Sequence, residues 1–124
     1  MTRRILIVDD EPNIVASLEF LMRGDDYDVL VARNGEEALR LAERFRPDLV
    51  LLDVMMPQRS GFEVCRRIRE NPALSDMKIV MLTARGRDVE REKGLRTGAN
   101  AYVTKPFSTK ELMNTVRGLL AGGE

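Results

Sequence analysis

The chain has no histidine, no tryptophan and a single cysteine, and each shortage closes a line of chemistry. Without histidine, the usual zinc sites and the commonest general base are missing. Cys65 alone cannot form an internal disulfide. An excess of one charge is lacking too: Lys+Arg and Asp+Glu stand at 20 each, which gives no basic field to hold a nucleic-acid backbone or an anionic membrane. No apolar run approaches the roughly 18 residues of a membrane span. Ile5 to Val8 is too short for the apolar part of a signal peptide, despite Arg3 and Arg4 before it. A cytoplasmic protein is expected, with no direct contact to nucleic acid or membrane. Any catalysis must run on carboxylates, lysine, threonine or a bound ion.

What is present is one domain's worth of chain. A length of 124 residues can bury roughly two-thirds of its unfolded surface. We therefore expect a single domain over residues 1–124, with no output domain in this chain. The most telling stretch is Leu49-Val50-Leu51-Leu52-Asp53, four apolar residues running straight into a carboxylate, with Pro57 closing the segment. A continuous apolar run of this length suits a strand buried on both faces of a parallel sheet. Ligands of open α/β sheets bind beyond the carboxyl ends of the strands, so Asp53 is placed for chemistry.

The remaining segments alternate in the same way. Ile5 to Val8 is a first strand ending in Asp9, Asp10 and Glu11, and Pro12 opens a helix with Ile14, Leu18, Leu21 and Met22 on one face and Gly24 at its end. Val29 to Ala32 is a second strand, followed by an Asn34/Glu37 capping pair and a stripe of Ala38, Leu41, Ala42 and Phe45. Ser60 and Glu63 cap a third helix with Val64 and Ile68 inward, which Asn71-Pro72 breaks. Ile79 to Leu82 is a fourth strand tipped by Thr83. A fourth helix is predicted over 87–97, where eight of the twelve residues from Arg85 to Arg96 are charged. It should be the least firmly packed, with Gly94 inside it and Gly98 as its cap. Ala101 to Val103 is a fifth strand ended by Thr104-Lys105-Pro106. Ser108 and Glu111 cap a last helix with Leu112, Val116, Leu119 and Leu120, and Ala121 to Glu124 reads as a frayed tail. Cys65 and the seven methionines read as core packing, Arg3/Arg4 and Arg66/Arg67 as solvated charge, and Tyr102, on its residue type alone, as a half-buried strand aromatic.

Five strands and five helices in alternation imply an α/β fold: a doubly wound five-stranded parallel sheet, for which the common order 2-1-3-4-5 is adopted. One sheet edge then collects Asp9, Asp10, Asp53, Thr83 and Lys105. Three carboxylates at adjacent strand ends repel, and a hard divalent cation, with Mg²⁺ the usual intracellular choice, relieves them. Lys105 and the Thr83 hydroxyl suit a phosphoryl group's oxygens, and an ionised Asp53 is a competent nucleophile toward phosphorus.

The segments ILIVDDEP (Ile5 to Pro12), LVLLDVMMP with SG (Leu49 to Pro57, Ser60-Gly61), MLTA (Met81 to Ala84), Gly98-Ala99 and YVTKPF (Tyr102 to Phe107) resemble the receiver domain of bacterial two-component response regulators over essentially the whole chain. The resemblance implies a flavodoxin-like fold and a signalling domain rather than a turnover enzyme, limited to its own phosphorylation and slow autodephosphorylation. It implies that Asp53 accepts a phosphoryl group from a sensor histidine kinase or histidine phosphotransfer protein. Asp10, Asp53 and the Met55 carbonyl would bind Mg²⁺, with Asp9 acting through water. Thr83 and Lys105 would bind the phosphoryl oxygens, Tyr102 would rotate with the state, and Lys105-Pro106 would be a cis peptide. The surface of the fourth helix, fifth strand and fifth helix would then switch toward a downstream protein. Relatives of the winged-helix transcription-factor class, which dimerise through this surface, carry acidic residues where this chain has Asn100 and Ala101, so a monomer or weak dimer is expected. The longer Asn71 to Lys78 joint and the one-domain length resemble a stand-alone regulator, with an excised N-terminal domain of a larger protein as the alternative. Two other functions compete: a haloacid-dehalogenase-type phosphatase, which needs a general acid where Met55 stands, and a degenerate receiver serving as a docking scaffold.

Overall fold

The sheet forms where the apolar runs are. The structure, a computed structural model, describes residues 2–56, 59–84 and 98–122. Its strands are β1 (Arg4–Val8), β2 (Asp28–Ala32), β3 (Leu49–Asp53), β4 (Lys78–Ala84) and β5 (Ala101–Lys105), all parallel in the order β2-β1-β3-β4-β5. Among the described residues there are four helices: α1 (Pro12–Gly24), α2 (Gly35–Phe45), α3 (Gly61–Glu70) and a C-terminal helix (Thr109–Gly122). The fourth helix, expected over 87–97, lies outside the described residues, and so does Pro57. No helix among the described residues is long and apolar enough to cross a membrane.

Side-chain alternation on the strands explains the unbroken apolar runs. Leu6, Val8, Val50, Leu52, Ile79 and Met81 face one layer with Ala38, Ala42, Val64 and Ile68 of α2 and α3. Ile5, Ile7, Leu49, Leu51, Val80 and Leu82 face the other, with Leu18 and Met22 of α1 and Leu112 and Val116 of the C-terminal helix. A central strand covered on both faces needs an apolar residue at every position. Each fully buried leucine contributes about 1.5–3 kcal/mol, so β3 and the carboxylate at its end stand on a firm base.

The helix starts follow the sequence closely. Asn34 accepts the Glu37 N–H at 2.8 Å, Ser60 that of Glu63 at 3.3 Å, and Ser108 that of Glu111 at 3.2 Å. The Glu37 carboxylate accepts from Arg33 N–H at 2.8 Å, one residue upstream of the capping-box partner.

Several local expectations need correction. Val15 joins Leu18 and Met22 in the buried face of α1, while Ile14 and Leu21 are half-buried. α1 does end at Gly24, as expected, and Asp26 just beyond it takes a positive φ of 66°. Thr83 lies inside β4 and Lys105 ends β5, because both strands run further than the apolar core. The C-terminal helix continues through Ala121 to Gly122, held by Leu120 in the core, so the first two residues of the expected tail are helical. Arg3 and Arg4 are not simply solvated. Asp48 draws them in, lying 3.8 Å from the Arg3 guanidinium and accepting the Arg4 backbone N–H at 2.8 Å, while the Arg4 guanidinium sits over the Phe45 ring. Arg66 and Arg67 are exposed, as expected. Met22, Met77, Met81 and Met113 fill the core, but Met55 is 56% exposed, since it belongs to the turn after β3.

One tie was not anticipated. Arg69, near the end of α3, donates to the carbonyls of Gly98 (2.9 Å), Ser75 (2.9 Å) and Met77 (2.6 Å) and to the Asn100 side-chain oxygen (2.7 Å). The same Asn100 oxygen accepts the Ile79 N–H at 2.8 Å, so this cluster fixes where β4 and β5 begin.

Candidate functional site

At the opposite, carboxyl-terminal edge the chain gathers its buried charges. β1 delivers Asp9, which is fully buried because its N–H stays tied to the Ala32 carbonyl of β2. One Asp9 oxygen accepts the Glu11 N–H at 2.9 Å, turning the chain into α1, and the other accepts from Lys105 Nζ at 2.9 Å. Asp10, next in the chain, is exposed. β3 delivers Asp53, only 5% exposed, whose Oδ1 accepts from the Met55 N–H and from Lys105 Nζ, both at 3.3 Å.

Asp9, Asp10, Asp53, Met55 and Lys105 line one open cleft of ≈ 470 Å³, completed by Glu11 and Pro12. Thr83 is buried on β4, whose Leu82 is in register with Asp53. Tyr102 sits one strand further on, opposite Met81, and packs half-buried against the core on the α2/α3 side. Neither is part of the cleft lining among the described residues. The Lys105-Pro106 peptide is cis.

The electrostatics are those of an incompletely neutralised cluster. Burial pushes the Asp53 carboxyl up to about 6, the charge of Asp9 adds to the rise, and Lys105 works against both. Burial pulls the Lys105 ammonium downward, but its bonds and charge contacts with Asp9 and Asp53 outweigh this and hold it above its ordinary value. One lysine therefore faces two buried carboxylates and an exposed third. An oxygen from each of Asp9, Asp10 and Asp53 lies within 4.8 Å of the others, an all-oxygen set that fits a hard divalent cation.

Gly61 has a role that the spacing of motifs does not reveal. A Cβ at this position would lie 2.3 Å from the Asp53 carbonyl oxygen, and the Gly61 N–H donates to Val54 O at 3.0 Å. The first turn of α3 is thus the wall against which the Asp53 turn rests. The sequence signal was a glycine immediately after the N-cap Ser60.

Known proteins resemble this chain in sequence and fold over nearly its whole length. A family model described as the response regulator receiver domain matches residues 5–117. The chain is 43% identical to the alkaline phosphatase synthesis transcriptional regulatory protein PhoP of Bacillus subtilis (strain 168), over 100% of this chain and 51% of that protein. It therefore spans about half the length of that relative. A protein of Chloroflexus aurantiacus J-10-fl assigned as a response regulator superposes with a TM-score of 0.95 at 38% identity, covering 98% of this chain and 99% of its own. The receiver domain of a sensor histidine kinase from Pseudomonas aeruginosa PAO1, with a magnesium ion coordinated in its active-site cleft, gives a TM-score of 0.89 at 32% identity, covering 98% and 99%.

Proposed function

Because the chain belongs to the response regulator receiver domain family and so serves two-component signalling, we propose that Asp53 is its phosphoacceptor. The observation that carries this reading is the grouping of a buried Asp53 with Asp9, Asp10 and Lys105 in one open cleft. An Asp53 carboxylate oxygen attacks the phosphorus of a phosphohistidine on a sensor kinase or phosphotransfer protein. The P–N bond breaks as the P–O bond of the acyl phosphate forms, and the departing imidazole takes a proton.

In this reading Asp10, Asp53 and the Met55 carbonyl hold Mg²⁺, with Asp9 beside them. When bound, the ion neutralises carboxylate charge and the charge on the phosphoryl oxygens. Lys105 gives the incoming phosphoryl group a compact positive charge and keeps Asp53 ionised, against the pull of burial. Thr83, on the neighbouring strand end, offers a hydroxyl to the same oxygens, and Tyr102 follows its movement. Phosphorylation adds about 1.5 to 2 negative charges at neutral pH, which redistributes the pairs that Lys105 now makes. The altered surface passes the signal to a downstream protein in the cytoplasm. The name of the Bacillus relative makes a transcriptional output one candidate target.

The reading is tested by incubating wild type and Asp53→Asn with acetyl phosphate and Mg²⁺ and weighing the intact proteins by mass spectrometry. Wild type should gain one phosphoryl group, slowly and stoichiometrically, and the variant none. Repeated turnover of unrelated phosphomonoesters would instead identify a phosphatase, and an unlabelled wild type a docking scaffold.

A further inference from the structure

Arg59 stands one residue before the N-cap of α3 and reaches to α2. Its guanidinium pairs with Glu36 in the first turn of α2, and its Nη1 lies 3.6 Å from the Glu63 carboxylate in the first turn of α3. Its side chain is only 22% exposed. Room for it comes from Gly35, the buried first residue of α2: a Cβ there would lie 2.9 Å from Arg59 Cδ and 3.0 Å from Arg59 Cβ. One side chain thus joins two helix starts. One of these starts is the wall of the Asp53 turn, through the Gly61 N–H to Val54 O bond and the close approach of Gly61 to the Asp53 carbonyl.

We propose that Arg59 is a positioning residue for phosphoryl transfer: by locking the first turn of α3 to α2 it fixes the Asp53-to-Met55 backbone, and with it the Met55 N–H bonded to the carboxylate. An exposed ion pair alone contributes little. Arg59 adds a stem packed on bare backbone and two carboxylate partners, so its removal frees the turn as well as the charge. The inference rests on the reading of Asp53 as phosphoacceptor, but its consequences for metal binding and backbone motion do not require phosphorylation to be observed.

The test compares wild type, Arg59→Ala and Arg59→Lys. Mg²⁺ affinity is read by calorimetry, amide exchange by mass spectrometry or NMR, and phosphorylation rate as a function of acetyl phosphate concentration. Arg59→Ala should weaken Mg²⁺ binding about three- to fivefold and speed exchange at Met55 and Gly61 while leaving Leu6 and Ile7 unchanged. It should lower the maximal labelling rate more than it changes the half-saturating acetyl phosphate concentration. Arg59→Lys should recover most of the Mg²⁺ affinity. Unchanged affinity and exchange in Arg59→Ala would overturn the proposal. So would acceleration that includes Leu6 and Ile7, which marks a general loss of stability. If wild type takes up no phosphoryl group while Arg59→Ala still loosens Met55 and Mg²⁺ binding, the reading of Asp53 falls and the positioning of the turn by Arg59 stands.

Discussion

Two long cations tie distant segments together at opposite edges of this sheet, and they differ in what they hold. Among the described residues Arg69, at the amino ends of β4 and β5, donates to uncharged oxygens, three carbonyls and one side-chain amide. Lys105, at the carboxyl end of β5, donates to two buried carboxylates. Neutral acceptors leave Arg69 nothing to exchange with a proton, a metal ion or a phosphoryl group. A proton or a metal ion can compete with Lys105 for its two carboxylates, and a phosphoryl group can compete with those carboxylates for Lys105. The first edge is built to stay and the second to be rearranged, although the Lys105 clamp spans the longer stretches of chain, 52 and 96 residues against at most 31 for Arg69.

The sharpest way to break the contrast is at the fixed edge. Arg69→Ala takes the guanidinium from three carbonyls and from the Asn100 oxygen, which keeps the Ile79 N–H, and charge-assisted bonds of this kind are individually worth about 1.5–3 kcal/mol but not additive. We expect a loss of about 2–4 kcal/mol of stability in urea denaturation, with the stabilising response to Mg²⁺ retained. If the Mg²⁺ response vanished as well, the two edges would not be independent.

At the adaptable edge the sign reverses. The Asp53 carboxyl is raised from its ordinary 3.8 to about 6, so between these pH values the folded state holds a proton that the unfolded chain has released. Stability in chelator should therefore rise as pH falls from 6 toward 4, by at most about 3 kcal/mol from this group. Asp53→Asn removes the penalty. It should stabilise the ion-free protein by about 1–3 kcal/mol at neutral pH, flatten that part of the pH profile and abolish stabilisation by Mg²⁺. A variant less stable than wild type in chelator would contradict the account of a repelling cluster.

The smallest effect tests whether neutrality at the fixed edge is essential or merely sufficient. Asn100→Asp keeps an oxygen for Arg69 and for the Ile79 N–H, so stability should change by less than about 1 kcal/mol, and its stability should depend more steeply on salt than that of wild type. Thermal melts at low and high ionic strength distinguish the two outcomes.

The two edges also differ in how far they could be read from the sequence. Asp9, Asp53 and Lys105 each stand at the end of a short strand, and a charge at the end of an apolar run is visible without knowing its partner. Strand order then brings them together. Arg69 lies in a helix rich in arginine and meets Asn100 across 31 residues, with three of its four acceptors on the backbone. No periodicity marks such a bond. The same blindness hid Arg59 on Gly35 and left Arg3 and Arg4 as solvated charge. The helix limits erred by a residue or two, where packing of Leu120 extends what local propensity would end.

Gly61 and Gly24 are one residue type under two different degrees of constraint. Nothing lies within 4 Å of a side chain added at position 24, whereas at position 61 the first carbon added would meet the backbone of Asp53. A randomised library would accept many letters at the first position and one at the second. The position least tolerant of variation beside this site therefore belongs to a residue with no side chain at all.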